Sequence, residues 1–138
     1  MREVEMKLGG GCHCGAVRYQ MELEGARHAL CHCTDCRRAS GAPAVGWAMV
    51  PRGQVEISGE PAAYASSADA RRLFCDRCGT SLFYLNEAML PGMIDVQSGT
   101  LDDPNVLSLE AHIQTAERLD WMKHLDALPA FERFPPQA

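Results

Sequence analysis

Seven cysteines, gathered in three short groups, constrain this chain more than any other feature of its sequence. The segments GCHCG, CHCTDC and FCDRCGT contain, in order, Cys12 and Cys14; Cys31, Cys33 and Cys36; and Cys75 and Cys78. An odd number of cysteines would leave one thiol over in a disulfide framework, and such frameworks occur in oxidising compartments. Metal binding is therefore favoured over disulfide formation.

The length and charge of the chain limit the classes of protein to which it can belong. Its 138 residues are the size of one domain, and we expect residues 1–138 to form a single zinc-binding domain. A net charge of −5 argues against nucleic acid and against an anionic membrane surface as partners. No apolar run reaches the ~20 residues of a membrane span, and the N-terminus lacks the apolar region of a secretory signal. We therefore expect a cytoplasmic protein with reduced thiols.

Short segments with strand character, separated by glycine and proline, predict a mainly β fold. These segments are residues 17–23, 45–50, 54–58, 82–85, 93–97 and 108–114. The glycines at 9–11 are interpreted as breakers. Helix is expected to be a minority of the fold.

Few segments have helical signals. Thr34 is expected to cap a short helix over residues 35–40, which Gly41 ends. A second helix is expected over residues 117–125, and residues 62–71 fit either a helix or an edge strand. Three aromatic residues near the C-terminus are expected to be core or lid residues: Trp121, Phe131 and Phe134.

The cysteine spacing predicts zinc. In FCDRCGT, two residues between the thiols let both sulfurs reach one ion at about 2.3 Å, and the glycine permits the positive φ of the turn. Seven thiols divide into four, which close a structural site, and three, which leave the open position of a catalytic zinc. Cys31, Cys33 and Cys36 are the most local set of three, although spacing alone does not assign the groups.

Other functions fit parts of the same pattern. A redox dithiol at Cys33 and Cys36 would open a helix and exchange disulfides, but Cys31 would then have no role. Alternatively, both zinc ions could be structural in a binding module without catalytic activity.

Polar residues beside the cysteines are further candidates. Arg37 and Arg38 follow the triplet directly, and either face solvent or hold an anionic group of a substrate. His13 and His32 lie between cysteines, where a histidine would donate an N–H to a sulfur or face solvent. His112 is expected to be a packed polar residue.

Several segments resemble the glutathione-dependent formaldehyde-activating enzyme family, which also includes the centromere protein V-like domains. The resemblance is carried by GGCHCGAVRY, CHCTDCRRASGAP, FCDRCGTSLFY, IDVQSGTLDDP and the tail RLDWMKHLDALPAF. The resemblance spans roughly residues 8–134 and includes His112.

This resemblance implies a β-tent fold of small antiparallel sheets held by two zinc ions per chain. It implies a structural zinc on one set of four ligands: Cys12, Cys14, Cys75 and Cys78. It implies a second, catalytic zinc on Cys31, Cys33 and Cys36. The expected activity is that of a carbon–sulfur lyase on a thiol–aldehyde adduct, such as S-hydroxymethylglutathione formed from formaldehyde and glutathione. The expected partner is a small-molecule thiol, with Arg37 and Arg38 as candidate substrate contacts.

Overall fold

The computed structural model of the chain describes residues 6–136 and consists mainly of β-strands. Within this range there are one α-helix, α1 (Thr34–Ser40), several short 3-10 segments and ten strands. The strands are β1 (Lys7–Gly11), β2 (Arg18–Glu22), β3 (Arg27–Cys31), β4 (Val45–Pro51), β5 (Val55–Ser58), β6 (Ala62–Ala65), β7 (Ala70–Phe74), β8 (Ser81–Asn86), β9 (Met93–Gln97) and β10 (Ala111–Ile113).

The strands form two sheets. The smaller has the order β1-β2-β5 and the larger the order β10-β3-β4-β9-β8-β7-β6. Neighbouring strands are antiparallel except for β10 and β3, which pair in parallel. Parallel pairing needs a long connection rather than a hairpin, and β10 follows β3 by some eighty residues of chain. The prediction of a mainly β fold is confirmed.

The main core lies where β2 of the smaller sheet packs with one face of the larger sheet. Tyr19 and Met21 are buried there with Ala48, Val50 and Phe83. The rings of Tyr19 and Phe83 meet edge to face, with their centroids 5.3 Å apart. Burial of these side chains is the main favourable term in the folding of this domain.

The opposite face of the larger sheet has a second, smaller cluster. Successive strand residues point to opposite faces, so Val45 and Trp47 point away from the main core. They pack with Cys31 and Cys36. This outer face positions the three-cysteine group.

All six predicted strand segments contain a strand, but β1, β3 and β7 were not predicted. The glycines of β1 were interpreted as breakers, and this was wrong. A Cβ on Gly10 would lie 2.3 Å from the hydroxyl oxygen of Tyr19 and 2.7 Å from the carbonyl oxygen of Thr100. Glycine is required here by the close approach of Tyr19 rather than by a turn.

The predicted first helix is present, and Gly41 ends it with a φ of 74°. Its N-cap is Cys33 rather than Thr34, because the Cys33 sulfur accepts the N–H of Cys36. Residues 62–71 form β6, the edge of the larger sheet, and the start of β7, so the edge-strand alternative was correct.

The C-terminal segment differs from the predicted helix over residues 117–125. It forms 3-10 segments over Thr115–Glu117 and Asp120–Ala127, separated by extended backbone. The three aromatic residues expected in the core or in a lid do not lie in the core, since they are exposed by 54% for Trp121, 54% for Phe131 and 95% for Phe134. No helix among residues 6–136 is long and apolar enough to cross a membrane.

Candidate metal centres

Four thiols from two distant parts of the chain converge at one end of the molecule. The sulfurs of this four-thiol cluster lie within 4.8 Å of one another, and its members are Cys12, Cys14, Cys75 and Cys78. The sulfur of Cys14 is 3.7 Å from that of Cys12 and 3.7 Å from that of Cys75. Zinc–sulfur bonds of about 2.3 Å in a tetrahedron place the sulfurs about 3.8 Å apart. The four-thiol cluster therefore fits a closed, tetrahedral metal site.

Two tight turns hold these thiols in place. The Cys75 N–H donates to the carbonyl of Thr80 at 2.9 Å, and the Gly79 N–H to the carbonyl of Cys75 at 2.7 Å. Gly79 has a φ of 84°, as the zinc-knuckle pattern requires. In the other turn, the Cys12 N–H donates to the carbonyl of Val17 at 3.0 Å.

The side chain of Thr80 joins the two turns. Its hydroxyl accepts the N–H of His13 at 3.1 Å and lies 3.2 Å from the sulfur of Cys78. The hydroxyl and the N–H of Thr80 lower the pKa of the Cys78 thiol to about 5. A thiolate is the form that binds metal, so these contacts favour metal binding at neutral pH. His13 contributes its backbone here, and its side chain is exposed.

A three-thiol cluster lies on the outer face of the larger sheet, where β3 leads into α1. The sulfurs of Cys31, Cys33 and Cys36 lie within 4.8 Å of one another. Cys31 ends β3, Cys33 caps the helix and Cys36 is buried within it. Among the described residues, no further histidine, cysteine or carboxylate joins this group at that distance. Three ligands leave one position of a tetrahedral metal open.

Arg72 on β7 contacts the three-thiol cluster. Its two terminal nitrogens lie 3.7 and 3.8 Å from the sulfur of Cys36. Its guanidinium stacks over the ring of Tyr84 at 4.8 Å from the centroid, and the residue is only 8% exposed. Hydrogen bonding with the Cys31 thiol, and then with Cys33 and Arg72, outweighs burial and lowers the pKa of Cys36 to about 5.

Asp95 is a half-buried carboxyl group on the same outer face. Burial, with a further contribution from the charge of Cys36, raises the pKa of Asp95 to about 6. Asp95 also lines a cavity of about 420 Å³ whose walls are mostly apolar, with Trp47, Met49 and Ile113 among them. Since Trp47 packs on the three-thiol cluster as well, the cavity adjoins that cluster.

The two histidines near the triplet bind each other. His32 is buried, and its Nε2 lies 2.9 Å from Nδ1 of His112. Burial lowers the pKa of His32. The expectation that His32 donates to a sulfur or faces solvent was wrong, because its ring joins β3 to β10 instead. His112 was expected to be packed, but it is exposed, and its ring lies against that of His32 with the centroids 5.1 Å apart.

Arg37 and Arg38 directly follow Cys36, but among residues 6–136 the arginine that forms hydrogen bonds with a sulfur of the cluster is Arg72. Both line an open groove of about 520 Å³, together with Ala42, Leu119 and Trp121. Ala42 packs on the cluster that contains the cysteines of the triplet, so the groove and the thiols adjoin.

A contact between α1 and the C-terminal segment keeps this groove in place. The N–H of Thr34 donates to a carboxylate oxygen of Glu117 at 2.8 Å. The C-terminal segment thus forms one wall of the groove, and α1 forms the other.

Sequence reasoning did not identify Arg72, Thr80 or Asp95. One signal for Arg72 was present. Arg71 and Arg72 are adjacent in a strand, and adjacent strand residues point to opposite faces, so one of them points inward when the sheet is covered on both sides. Which sulfur the inward-pointing arginine contacts depends on the tertiary fold.

The fold and these clusters define a small β protein with two groups of thiols that could hold metal ions. The sequence model of the glutathione-dependent formaldehyde-activating enzyme family matches residues 7–117. The chain belongs to this family, as its motifs predicted.

The chain is similar to a fission-yeast protein and to a bacterial protein of known structure. An uncharacterized lyase of Schizosaccharomyces pombe is 32% identical over 75 residues, which are 54% of this chain and 55% of the relative. The match thus spans about half the length of that relative. A crystal structure of a Rhodobacter sphaeroides protein superposes with a TM-score of 0.58 at 26% identity, covering 78% of this chain and 99% of that one.

Proposed function

We propose that this protein is a zinc-dependent carbon–sulfur lyase that acts on the adduct of a thiol, such as glutathione, with an aldehyde, such as formaldehyde. Membership of the family and the lyase name of one relative support an enzymatic role. The observation that carries the proposal is the three-thiol cluster, which presents three sulfurs and adjoins both a groove and a cavity. We also propose a cytoplasmic location, where the seven free cysteines remain reduced.

The two clusters would have different roles. The four-thiol cluster would hold a structural zinc, and the sulfur spacing of 3.7 Å supports this assignment. Cys31, Cys33 and Cys36 would hold the catalytic zinc. That ion, when bound, supplies an open position at which a substrate thiol loses its proton.

The proposed reaction is reversible. In the direction of cleavage, the carbon–sulfur bond breaks and its electron pair passes to sulfur, while the hydroxyl group gives its proton to solvent and becomes the carbonyl of the aldehyde. The reverse direction forms the carbon–sulfur bond. Negative charge develops on the hydroxymethyl oxygen, and the Arg37 guanidinium beside the cluster would stabilise it.

Arg37 and Arg38 also support glutathione as the thiol. Guanidinium groups recognise carboxylates through paired hydrogen bonds, and glutathione has two carboxylates. Both arginines line the groove that adjoins the three-thiol cluster.

Exchange NMR on a mixture of glutathione and formaldehyde tests the proposal. The wild type should accelerate exchange between free and hydroxymethyl glutathione, and Cys33→Ser should abolish the acceleration while the protein stays folded. Ala39→Ser, an exposed position of the same helix, is the matched control and should exchange as fast as the wild type. Absence of acceleration by zinc-loaded wild-type protein would reject these substrates.

A second candidate function is a zinc-stabilised binding module without catalytic activity. The exposed apolar residues of the C-terminal segment favour it, because large apolar groups in solvent often mark an interaction surface. They are Trp121, Leu125, Leu128, Phe131 and Phe134. This function predicts concentration-dependent association, measured by light scattering, that Trp121→Ser weakens, together with no effect of the protein on thiol exchange.

A further inference from the structure

Arg72 is a buried cation without a carboxylate partner. It is 8% exposed, and no described carboxylate forms an ion pair with it. Its Nε is buried and has no hydrogen-bond partner among residues 6–136. A buried charge is costly unless an opposite charge lies near it. Its guanidinium contacts the sulfur of Cys36, and this thiol can supply negative charge.

The three-thiol cluster has an excess of negative charge when its thiols bind a metal ion. Three thiolates around a divalent ion leave a net charge of about −1. A thiol that binds there as a thiolate would bring the charge to about −2 in a partly buried site, and like charges at short range repel. One guanidinium beside Cys36 offsets one of these charges.

We propose that Arg72 is the positioning residue of the three-thiol cluster, and that its guanidinium compensates the thiolate charge so that an anionic sulfur ligand can bind beside the three cysteines. This inference rests on the proposed function, since it assumes that the cluster receives a substrate thiol. It extends that function to the kind of ligand the cluster accepts. Arg72 favours anionic ligands over neutral ones.

The surroundings of Arg72 fix its position. The ring of Tyr84 lies under the guanidinium, and a ring face attracts a cation. Tyr84 itself is held by Asn86, whose side-chain N–H donates to the phenol oxygen at 3.1 Å. The neighbouring Arg71 is exposed and donates to the carbonyls of Ser67, Ala68 and Ala70 instead. Arg71 is therefore a matched control of the same residue type.

A ligand titration of the cobalt-substituted full-length protein tests this inference. Absorption changes on adding 2-mercaptoethanol report an anionic sulfur ligand at the open position, and imidazole reports a neutral one. Arg72→Met should raise the dissociation constant for 2-mercaptoethanol at least about tenfold and leave that for imidazole within about twofold. Arg72→Lys should restore most of the thiol affinity, and Arg71→Met should behave as the wild type. If Arg72 has only a structural role, Arg72→Met should raise the dissociation constants of both ligands.

A second readout needs no added thiol. In the zinc-loaded protein, loss of the N–H donors should speed alkylation of Cys36 by iodoacetamide several-fold in Arg72→Met but not in Arg71→Met. If Arg72→Met does not fold, Arg72→Gln removes the charge and keeps a donor, and the same ligand contrast is expected.

The outcomes separate this inference from the function on which it rests. A wild-type protein that binds imidazole but no thiol would overturn both. A wild-type protein that binds thiol, with unchanged thiol affinity in Arg72→Met or Arg72→Gln, would overturn the role of Arg72 alone. Equal losses for thiol and imidazole would also overturn it.

Discussion

The two thiol clusters are built in opposite ways. The four-thiol cluster joins sulfurs that are far apart in the sequence, since Cys14 and Cys75 are separated by 61 positions. The three-thiol cluster takes all its sulfurs from six consecutive residues, and its distant contributor is a cation, Arg72, located 36 positions after Cys36. A metal ion between distant turns would tie the fold together, whereas a metal ion on a local cluster would add little to the fold and would be free to serve chemistry.

Loss of one ligand from each cluster gives the largest expected contrast. Cys75→Ser should cost several kcal/mol, because metal binding between distant segments contributes directly to folding free energy. Its melting temperature should fall by more than about 10 °C, whereas Cys33→Ser should lose only a few degrees. Circular dichroism during heating measures both. If Cys33→Ser melts at as low a temperature as Cys75→Ser, the two clusters do not differ in their contribution to stability.

Gly10 on β1 lies two residues before Cys12. A change at Gly10 therefore tests whether the position of β1 affects metal binding at the four-thiol cluster and not at the three-thiol cluster. Gly10→Ala places a Cβ 2.3 Å from the Tyr19 hydroxyl and should destabilise the fold by about 1–3 kcal/mol. A chelator should then remove metal faster from the four-thiol cluster. Gly53→Ala, where nothing lies within 4 Å of the new Cβ, is the control and should unfold at nearly the wild-type denaturant concentration. Equal effects of the two variants would reject the steric explanation.

A change at Asp95 sharpens the comparison by probing charge near the three-thiol cluster. Burial raises the pKa of Asp95 to about 6 from 3.8, so the folded state binds this proton more tightly than the unfolded state. The wild type therefore loses stability as pH rises between these two values. Asp95→Asn should be more stable than the wild type by about 1–2 kcal/mol at pH near 7.5, and this advantage should vanish at acidic pH.

Urea unfolding at several pH values measures this advantage. Asp126→Asn, which changes an exposed carboxylate, should shift the unfolding midpoint little at any pH. A less stable Asp95→Asn at neutral pH would show that the charged carboxylate is needed in the fold.

The smallest effect is expected at an exposed ion pair near the four-thiol cluster. Arg18 on β2 donates to Asp102 at 2.9 Å, and this contact lowers the pKa of Asp102. The pair therefore stabilises the fold at neutral pH, and the contribution disappears as pH falls through the lowered pKa of Asp102. Asp102→Asn should be slightly less stable than the wild type at pH 7 and equal to it once Asp102 is protonated. A constant difference in unfolding midpoint across this range would exclude the ion pair as its cause.

The sequence predicted what local spacing determines. The C-x-x-C and glycine pattern of FCDRCGT predicted the turn that Gly79 makes, and Gly41 was correctly expected to end α1. The division of seven thiols into four and three agrees with the two clusters in the structure. The turn at Gly79 and the end of α1 follow from a few consecutive residues, and the division into four and three follows from the number and grouping of the cysteines.

What the sequence did not reveal depends on contacts between distant residues. From the sequence, Gly10 was interpreted as a breaker. Its glycine is explained only by the packing of Tyr19 against it in the folded structure. Arg72 meets Cys36 only because its side chain points to the outer face of the larger sheet, where α1 lies. Trp121 is apolar but exposed, and its exposure depends on where the C-terminal segment lies in the folded structure.

The most direct test of two clusters with different roles is the zinc content of the wild type and of Cys33→Ser, measured by native mass spectrometry on folded samples whose exchange rates are also known. We expect two zinc ions in an active wild type and one in a folded, inactive Cys33→Ser variant. One zinc ion in an active wild type, or wild-type activity in a Cys33→Ser variant that holds one zinc ion, would contradict the assignment of catalysis to the three-thiol cluster.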